Sequence, residues 1–232
     1  MFSQALETLS QGYKARRAQI ARRLERRDPS LRKVAFGAVV LGGLLLSSAC
    51  APLHSSMLRG AVAPPPLSFE RTCTDAPGEC ELPRLDYVAT LSDPQALRLL
   101  QHVNSAVNAR MAGLATEQIN ARDEWLPARA TPSGLAGDCK SFAAEKRRML
   151  IAEGFPADQL SYAVVFRGDL GLHALLMARL NGGDYVLDSR QPWVTPWSEA
   201  GYTFVLYQEP GSPGEWRTAL GAGGVPVAMG GG

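Results

Sequence analysis

The sequence lacks several features that would define a function directly. It has no internal repeat, no glycine-rich loop that could cradle a phosphate and no cluster of metal-ligand residues. These absences argue against repeat architectures, the common nucleotide-binding loops and structural metal sites. Histidine and cysteine are both scarce, with three and four residues respectively. At 46% hydrophobic and 20% charged residues, the composition of this 232-residue chain is that of a globular protein with one sizeable core and appendages.

Positive charge is concentrated at the start of the chain. Residues 1–33 hold nine of the 24 Lys and Arg residues but only three of the 22 Asp and Glu residues. The rest of the chain is therefore mildly acidic, which does not favour nucleic-acid binding.

The basic run is followed by twenty uncharged residues, 34–53, with the sequence VAFGAVVLGGLLLSSACAPL. A positive segment, an apolar stretch and small residues are typical of an export signal. Ala49 and Cys50 are similar to the end of a lipoprotein signal, although Ser47 stands where leucine is usual. An uncleaved segment of this length could anchor the chain in a bilayer, and a buried core helix is the alternative. We expect an exported protein, anchored in the inner membrane or lipidated at Cys50.

Cysteine usage is consistent with export. Cys73 and Cys80 flank a turn-rich loop and can close a small disulfide ring in an oxidising compartment, with two free thiols as the alternative. Cys139 is left without a partner, and an unpaired cysteine in an exported protein needs a reason.

The pattern along the chain predicts an α+β domain. Helical spacing predicts helices over 92–111 and 139–153, and four β-rich runs follow with a turn at 181–184. We expect the helices to pack on one face of an antiparallel sheet. We predict four segments: a basic and signal or anchor segment 1–51, a Pro-rich linker 52–68, a folded domain 69–220 and a disordered Gly-rich tail 221–232. Within the folded domain, we predict strands over 160–166, 172–180, 184–188 and 201–208.

Three side chains form a candidate catalytic constellation. Cys139 begins a predicted helix, where unsatisfied N–H groups stabilise a thiolate. His173 lies near the start of a strand, and Asp188 ends the next strand of the hairpin. A carboxylate beside the imidazole would fix its tautomer and favour the imidazolium that partners a thiolate. The alternatives are a packed cysteine, a core histidine and an aspartate in a turn.

The segments GDCKSFAAEKRRMLIAEGFP, GLHALLMARLNGGDYVLDS and PWSEAGYTFV resemble the bacterial transglutaminase-like cysteine proteinases. The resemblance covers roughly residues 69–208 and follows the family's motif order G-D-C, H, L-D-N. It implies a papain-like, transglutaminase-like fold in which Cys139 is the nucleophile, His173 the base and Asp188 its orienter. Because the family includes a periplasmic protease that clips surface adhesins, it also implies a periplasmic location, a protein substrate such as an adhesin, and an inner-membrane regulatory receptor.

Two positions depart from the family pattern. The calcium-regulated adhesin proteases carry an acid directly after the nucleophile, whereas this chain has Lys140, whose ammonium would repel the ion. We therefore expect no cofactor and no calcium dependence, although a solvated helix lysine is the simpler interpretation. The sequence LDSR replaces L-D-N, but Asp188 is kept.

The sequence thus predicts an exported cysteine peptidase that acts through a thioester. Transglutaminase-type acyl transfer, a non-catalytic binding module and a structural envelope protein are the alternatives. Trp125 is a candidate wall or oxyanion donor, and Trp193, Trp197 and Trp216 are predicted to pack in the core. Asp123 and Glu124 are predicted to be a solvated loop pair.

Overall fold

The structure is a computed structural model, and it describes residues 56–83, 88–111 and 123–220. The predicted basic and signal segment and the Gly-rich tail lie outside these residues. Within the described ranges, no helix combines the length and the apolar character needed to cross a bilayer.

The described chain forms a seven-stranded antiparallel sheet with three α-helices, as the α+β prediction requires. The strand order is β1-β9-β8-β4-β5-β6-β7, and β2 pairs with β3 in a separate hairpin. The helices are α1 (Leu67–Asp75), α2 (Asp93–Asn108) and α3 (Cys139–Ala152). The strands are β1 (Arg59–Ala63), β2 (Arg129–Thr131), β3 (Gly134–Ala136), β4 (Leu160–Arg167), β5 (Gly171–Leu180), β6 (Gly183–Leu187), β7 (Thr195–Pro196), β8 (Thr203–Gln208) and β9 (Trp216–Ala219).

The ends of the two predicted helices have local causes. Ser92 and Gln95 form a reciprocal capping box at the start of α2, and Pro94 follows in the first turn. Asp138 caps α3 by accepting a hydrogen bond from the backbone N–H of Ser141 at 3.0 Å. Beyond α3, Gly154 has a φ of 84°, the left-handed conformation that commonly ends a helix.

The sheet separates two hydrophobic clusters. The larger one lies between the helices and the sheet, and it includes Leu100 of α2, Leu150 of α3 and Leu176 of β5. The smaller one covers the opposite face and includes Leu175 and Met177 of β5. Strands β5 and β6 are buried on both faces, so the side chains at their ends are held in place by the surrounding core.

The segment predicted to be a linker, 52–68, is partly structured. Residues 59–63 form β1, which pairs with β9 at the edge of the sheet. Helix α1 begins at Leu67, and its Phe69 packs edge-on against Trp125 and Trp216, with ring centroids 5.7 Å and 5.1 Å away. Both elements are too short for their hydrophobic residues to show a clear periodicity. The residues that they pair with or pack against are more than 50 positions away in the chain, so local sequence did not reveal them.

The predicted disulfide is present between Cys73, in α1, and Cys80. It closes the turn that leaves α1, and both cysteines pack against the helix-side core. Phe69 of the same helix is almost fully buried in that core.

Leu150 tests how strongly the helix-side core holds α3 in place. Because its side chain is fully buried, Leu150→Ala should lower the free energy of unfolding by about 2–5 kcal/mol. Urea denaturation followed by circular dichroism measures this change. Val62→Ala, at an exposed position, serves as the control and should change stability by no more than about 0.5 kcal/mol. Equal effects of the two variants would contradict the packing described here.

Candidate active site

The structure brings Cys139, His173 and Asp188 together at one end of the sheet. Cys139 is the first residue of α3, His173 is the third residue of β5, and Asp188 follows directly after β6. Because α3 packs across β5, the sulfur reaches the imidazole and forms a hydrogen bond with it. The His173 Nε2 atom lies 2.7 Å from Asp188 Oδ1, so the Nδ1 atom of the ring is left to face the sulfur.

The residues around Cys139 explain the local sequence G-D-C. A Cβ atom at Gly137 would lie 2.4 Å from the Ser141 Cβ atom, so the close approach of the backbone to the first helical turn requires glycine. Asp138 provides the helix cap. The sulfur also accepts a hydrogen bond from the backbone N–H of Ala174, next to His173.

These contacts change the acidity of the thiol and the imidazole in opposite directions. Burial raises the pKa of the Cys139 thiol, but the hydrogen bond and the charge of His173 outweigh burial and lower it. Burial also opposes charge on His173, yet its hydrogen bonds to Asp188 and Cys139 raise the imidazole pKa to about 9. Both shifts favour the thiolate–imidazolium pair over the neutral pair.

Asp188 is held as a carboxylate by several donors. Burial raises its pKa, but hydrogen bonds from His173 and from Tyr202 outweigh that effect and lower the pKa to about 2. The Tyr202 hydroxyl donates to Oδ2 at 2.6 Å, and the backbone N–H of Arg190 donates to Oδ1 at 3.0 Å. The negative charge facing His173 is thus permanent across the physiological pH range.

Tyr202 is a site residue that the sequence interpretation missed. Its ring stacks on His173 with centroids 5.9 Å apart, and the Arg167 guanidinium lies 5.1 Å from the centroid of the tyrosine ring. One side chain therefore restrains both the imidazole and its carboxylate partner. A tyrosine in the strand-forming segment GYTFVLYQ carries no sequence signal that separates it from a packing residue.

Amide side chains of α2 hold the loop that follows Asp188. Asn108 Nδ2 donates to the backbone carbonyl of Asp188 at 2.9 Å, and Asn104 Nδ2 donates to that of Gln191 at 3.0 Å. Gln101 binds the same loop through the carbonyl of Pro192. The three amides are spaced three and then four residues apart, which places them on one face of the helix. This spacing was the sequence signal that could have predicted their shared role.

Lys146 lies two turns after Cys139 and is fully buried. Burial lowers the pKa of Lys146 to about 7, although the negative charge of Asp188 acts in the opposite direction. Lys146 thus lies on the buried face of α3, together with Phe142 and Leu150.

Lys140 is not the solvated residue that its position suggests. Its Nζ atom lies 2.5 Å from Asp138 Oδ2 and 2.6 Å from Asp123 Oδ1, and only 15% of its side chain is exposed. Asp123 is 56% exposed, as predicted for a solvated loop residue, and it also forms this ion pair. Among the described residues, no group of three or more His, Cys, Asp or Glu side chains is arranged to hold a metal ion.

The predictions for the tryptophans are confirmed only in part. Trp197 and Trp216 pack in the core as predicted, whereas Trp193 is 67% exposed. Trp125 is buried and donates its indole N–H to Ser68 Oγ at 3.0 Å, so this group is not an oxyanion donor. His102 is exposed on α2.

Comparison with known proteins places the chain in a family. The family model for the bacterial transglutaminase-like cysteine proteinases matches residues 59–222. No curated protein matches the chain.

Among solved structures, the chain is similar to Legionella pneumophila LapG. The calcium-bound form is 22% identical over 57% of this chain and 74% of that chain, with a TM-score of 0.40. The EGTA-treated form is 24% identical over 47% of this chain and 61% of that chain, with a TM-score of 0.37.

The alkylation rate of Cys139 should reveal the lowered thiol pKa. Because the thiolate is the reactive form, reaction with iodoacetamide should stay fast at pH values where an ordinary thiol is protonated. The thiolate–imidazolium pair forms above the lowered pKa of Cys139 and is lost as the pH rises through about 9, where His173 releases its proton. Rates are measured at Cys139 by mass spectrometry between pH 4 and 10, which separates this residue from Cys50.

His173→Ala should return the reactivity of Cys139 to the ordinary thiol range. His102→Ala is the matched control and should reproduce the wild-type curve. A wild-type curve that already follows an ordinary thiol would contradict the ion pair.

Tyr202→Phe isolates the hydrogen bond to Asp188 and keeps the ring that stacks on His173. Loss of a hydrogen bond to a charged group costs about 1.5–3 kcal/mol, so kcat/KM should fall about 10- to 150-fold. The pKa of His173, measured by NMR, should change as well, because the Asp188 carboxylate has lost one of the donors that stabilise its negative charge. A variant with wild-type kinetics and an unchanged His173 pKa would show that Tyr202 serves packing only.

Proposed function

The chain belongs to the bacterial transglutaminase-like cysteine proteinase family and is a cysteine peptidase, and we propose that it hydrolyses peptide bonds through Cys139, His173 and Asp188. The observation that carries this proposal is the continuous hydrogen-bonded series from sulfur through imidazole to carboxylate. The three side chains come from the start of α3, from β5 and from the residue after β6, and their pKa shifts favour the thiolate, imidazolium and carboxylate that thiol peptidase chemistry needs.

In the proposed mechanism, the Cys139 thiolate attacks the carbonyl carbon of the scissile peptide bond. The oxyanion accepts a hydrogen bond from the backbone N–H of Cys139, which the helix leaves unsatisfied at its first residue. The His173 imidazolium then gives its proton to the leaving amine, and a thioester remains. Neutral His173 takes a proton from water, the resulting hydroxide attacks the thioester, and the sulfur leaves as the thiolate.

Asp188 and Tyr202 keep the imidazole in position during both half-reactions. Since Asp188 accepts from Nε2, the proton that moves between sulfur, leaving amine and water is the one on Nδ1. Removal of a general acid–base residue costs about 10²–10⁴ in rate, and this is the loss we expect for His173→Ala.

We further propose that the enzyme is exported to the periplasm, held by residues 34–53 or lipidated at Cys50. The charge step around this segment and the Cys73–Cys80 disulfide support export, because disulfides persist in oxidising compartments. The resemblance to adhesin-cleaving proteases favours a surface adhesin as the substrate and an inner-membrane receptor as a regulator.

The decisive comparison is between envelope proteomes of cells that express the wild type and Cys139→Ser. The serine variant lacks a thiolate, so one envelope protein should stay uncut and its cleavage product should disappear. Purified wild type should cut that protein in vitro, while Cys139→Ser should not. Identical proteomes combined with an inactive purified wild type would instead support a binding module.

A primary amine separates hydrolysis from acyl transfer. When peptide substrate, enzyme and an amine are incubated together, hydrolysis should yield free carboxylate ends that carry one oxygen from solvent in H₂¹⁸O. Mass spectrometry that finds amine-ligated products as the main species would overturn the hydrolase assignment in favour of a transglutaminase.

A further inference from the structure

The ammonium of Lys140 lies between two carboxylates next to the nucleophile. Asp138 comes from the cap of α3, and Asp123 comes from the segment that leads into Trp125. Burial opposes the charge of Lys140, but the hydrogen bonds that its ammonium donates to Asp123 and Asp138 outweigh burial and raise the pKa of the lysine. The ammonium is therefore permanent at all physiological pH values.

Asp138 has two opposing effects on the site. Its Oδ1 atom accepts the hydrogen bond that caps α3, which fixes the start of the helix at Cys139. Its negative charge, however, raises the pKa of the neighbouring thiol and so opposes the thiolate. A cation on the other carboxylate oxygen, Oδ2, keeps the cap and offsets the charge.

Asp123 is placed to complete this arrangement. It has a φ of 56°, the left-handed region that aspartate reaches more readily than most residues. Two residues further on, the backbone N–H of Trp125 donates to Thr72 Oγ1 at 2.9 Å. The segment is thus bound to α1 at Trp125 and to α3 through Lys140.

These residues do not fit a bound calcium ion. Calcium requires six to eight oxygen ligands at about 2.3–2.6 Å, whereas the point shared by Asp123 and Asp138 is filled by an ammonium of the chain itself. Displacement of the lysine would leave a partly buried positive charge without its partners.

We propose that Lys140 is a positioning residue that acts as a covalently tethered cation: it offsets the charge of Asp138 and joins the segment at Asp123 to the nucleophile end of α3, so the site needs no free metal ion. This inference rests on the proposed function for its meaning, but its main test uses no substrate. The charged groups that face the thiol are His173, Asp138 and Lys140, and those that face Lys140 are Asp123, Asp138 and the thiolate.

The test measures the pH dependence of Cys139 alkylation in charge-matched variants of the full chain. Lys140→Met leaves Asp138 uncompensated, so alkylation at pH 6 should slow by about three- to tenfold. Asp138→Asn keeps a good helix cap without the charge and should have the opposite effect. The double variant Asp138→Asn with Lys140→Met should return to within about twofold of the wild type, because both charges are removed together.

Two controls separate charge from folding. Lys140→Arg keeps the cation and should retain the wild-type curve, whereas Arg98→Met removes one positive charge from an exposed site on α2 and should also leave it unchanged. Recovery in the double variant shows that loss of fold does not explain the effect of Lys140→Met. A Lys140→Met curve that overlays the wild type, or a double variant as slow as Lys140→Met, overturns the inference.

Metal dependence provides the second test. Wild-type peptidase activity should be the same in EGTA and in millimolar calcium. Lys140→Glu would place three carboxylates around one point, so its thiol should be slow to alkylate in EGTA and recover when calcium is added, with calcium binding measured by calorimetry. EGTA-sensitive wild-type activity, or a Lys140→Glu chain that binds no calcium, overturns the tethered-cation inference. Inactivity of the wild type towards every substrate would bear on the proposed function alone.

Discussion

The packing of α3 across β5 is the contact on which the site depends. It places the first residue of a helix beside the third residue of a strand 34 positions later in the chain. Neither residue is reactive by itself, because an isolated thiol is protonated at neutral pH and an isolated imidazole is mostly neutral. The two groups acquire opposite charges only when they are held within hydrogen-bonding distance in a partly buried place.

Charge alternates from Asp188 through His173 to Cys139, that is, from carboxylate through imidazolium to thiolate. Asp138 adds a second negative charge next to the sulfur, and the ammonium of Lys140 offsets it. Such a series is stable because every buried charge has a neighbour of opposite sign. It also means that a change at one member alters the pKa values of the others, so single substitutions are best interpreted in pairs.

Rigid support surrounds this series on three sides. Tyr202 restrains the imidazole and its carboxylate, the amides of α2 hold the loop after Asp188, and Gly137 allows the first turn of α3 to lie close to the backbone before it. The Cys73–Cys80 disulfide closes the turn after α1, whose Phe69 lies in the same core as Leu150 of α3. The groups of the proposed triad therefore lie at element ends that the buried core behind them supports.

Local sequence was sufficient to predict much of the fold and of the candidate site. Helical spacing and capping residues located α2 and α3, the turn at 181–184 located the β5–β6 hairpin, and the positions of Cys139, His173 and Asp188 at element ends suggested a triad. These signals depend on residues within a few positions of one another, so they can be seen without a fold.

The tertiary structure decided what depends on distant partners. Paired residues of β1 and β9 are between 153 (Ala63 and Trp216) and 160 (Arg59 and Ala219) positions apart, and the strands have no periodicity of their own, so their pairing is set by the sheet edge that each completes. Tyr202 became a site residue only because it directly precedes β8, whose place in the sheet brings it to the His173–Asp188 pair. Lys140 could be recognised by sequence as an unusual cation but not as the partner of Asp123. The physical reason is the same in each case: the energy of a charge or a ring depends on its neighbours in space, and residues far apart in the chain supply those neighbours.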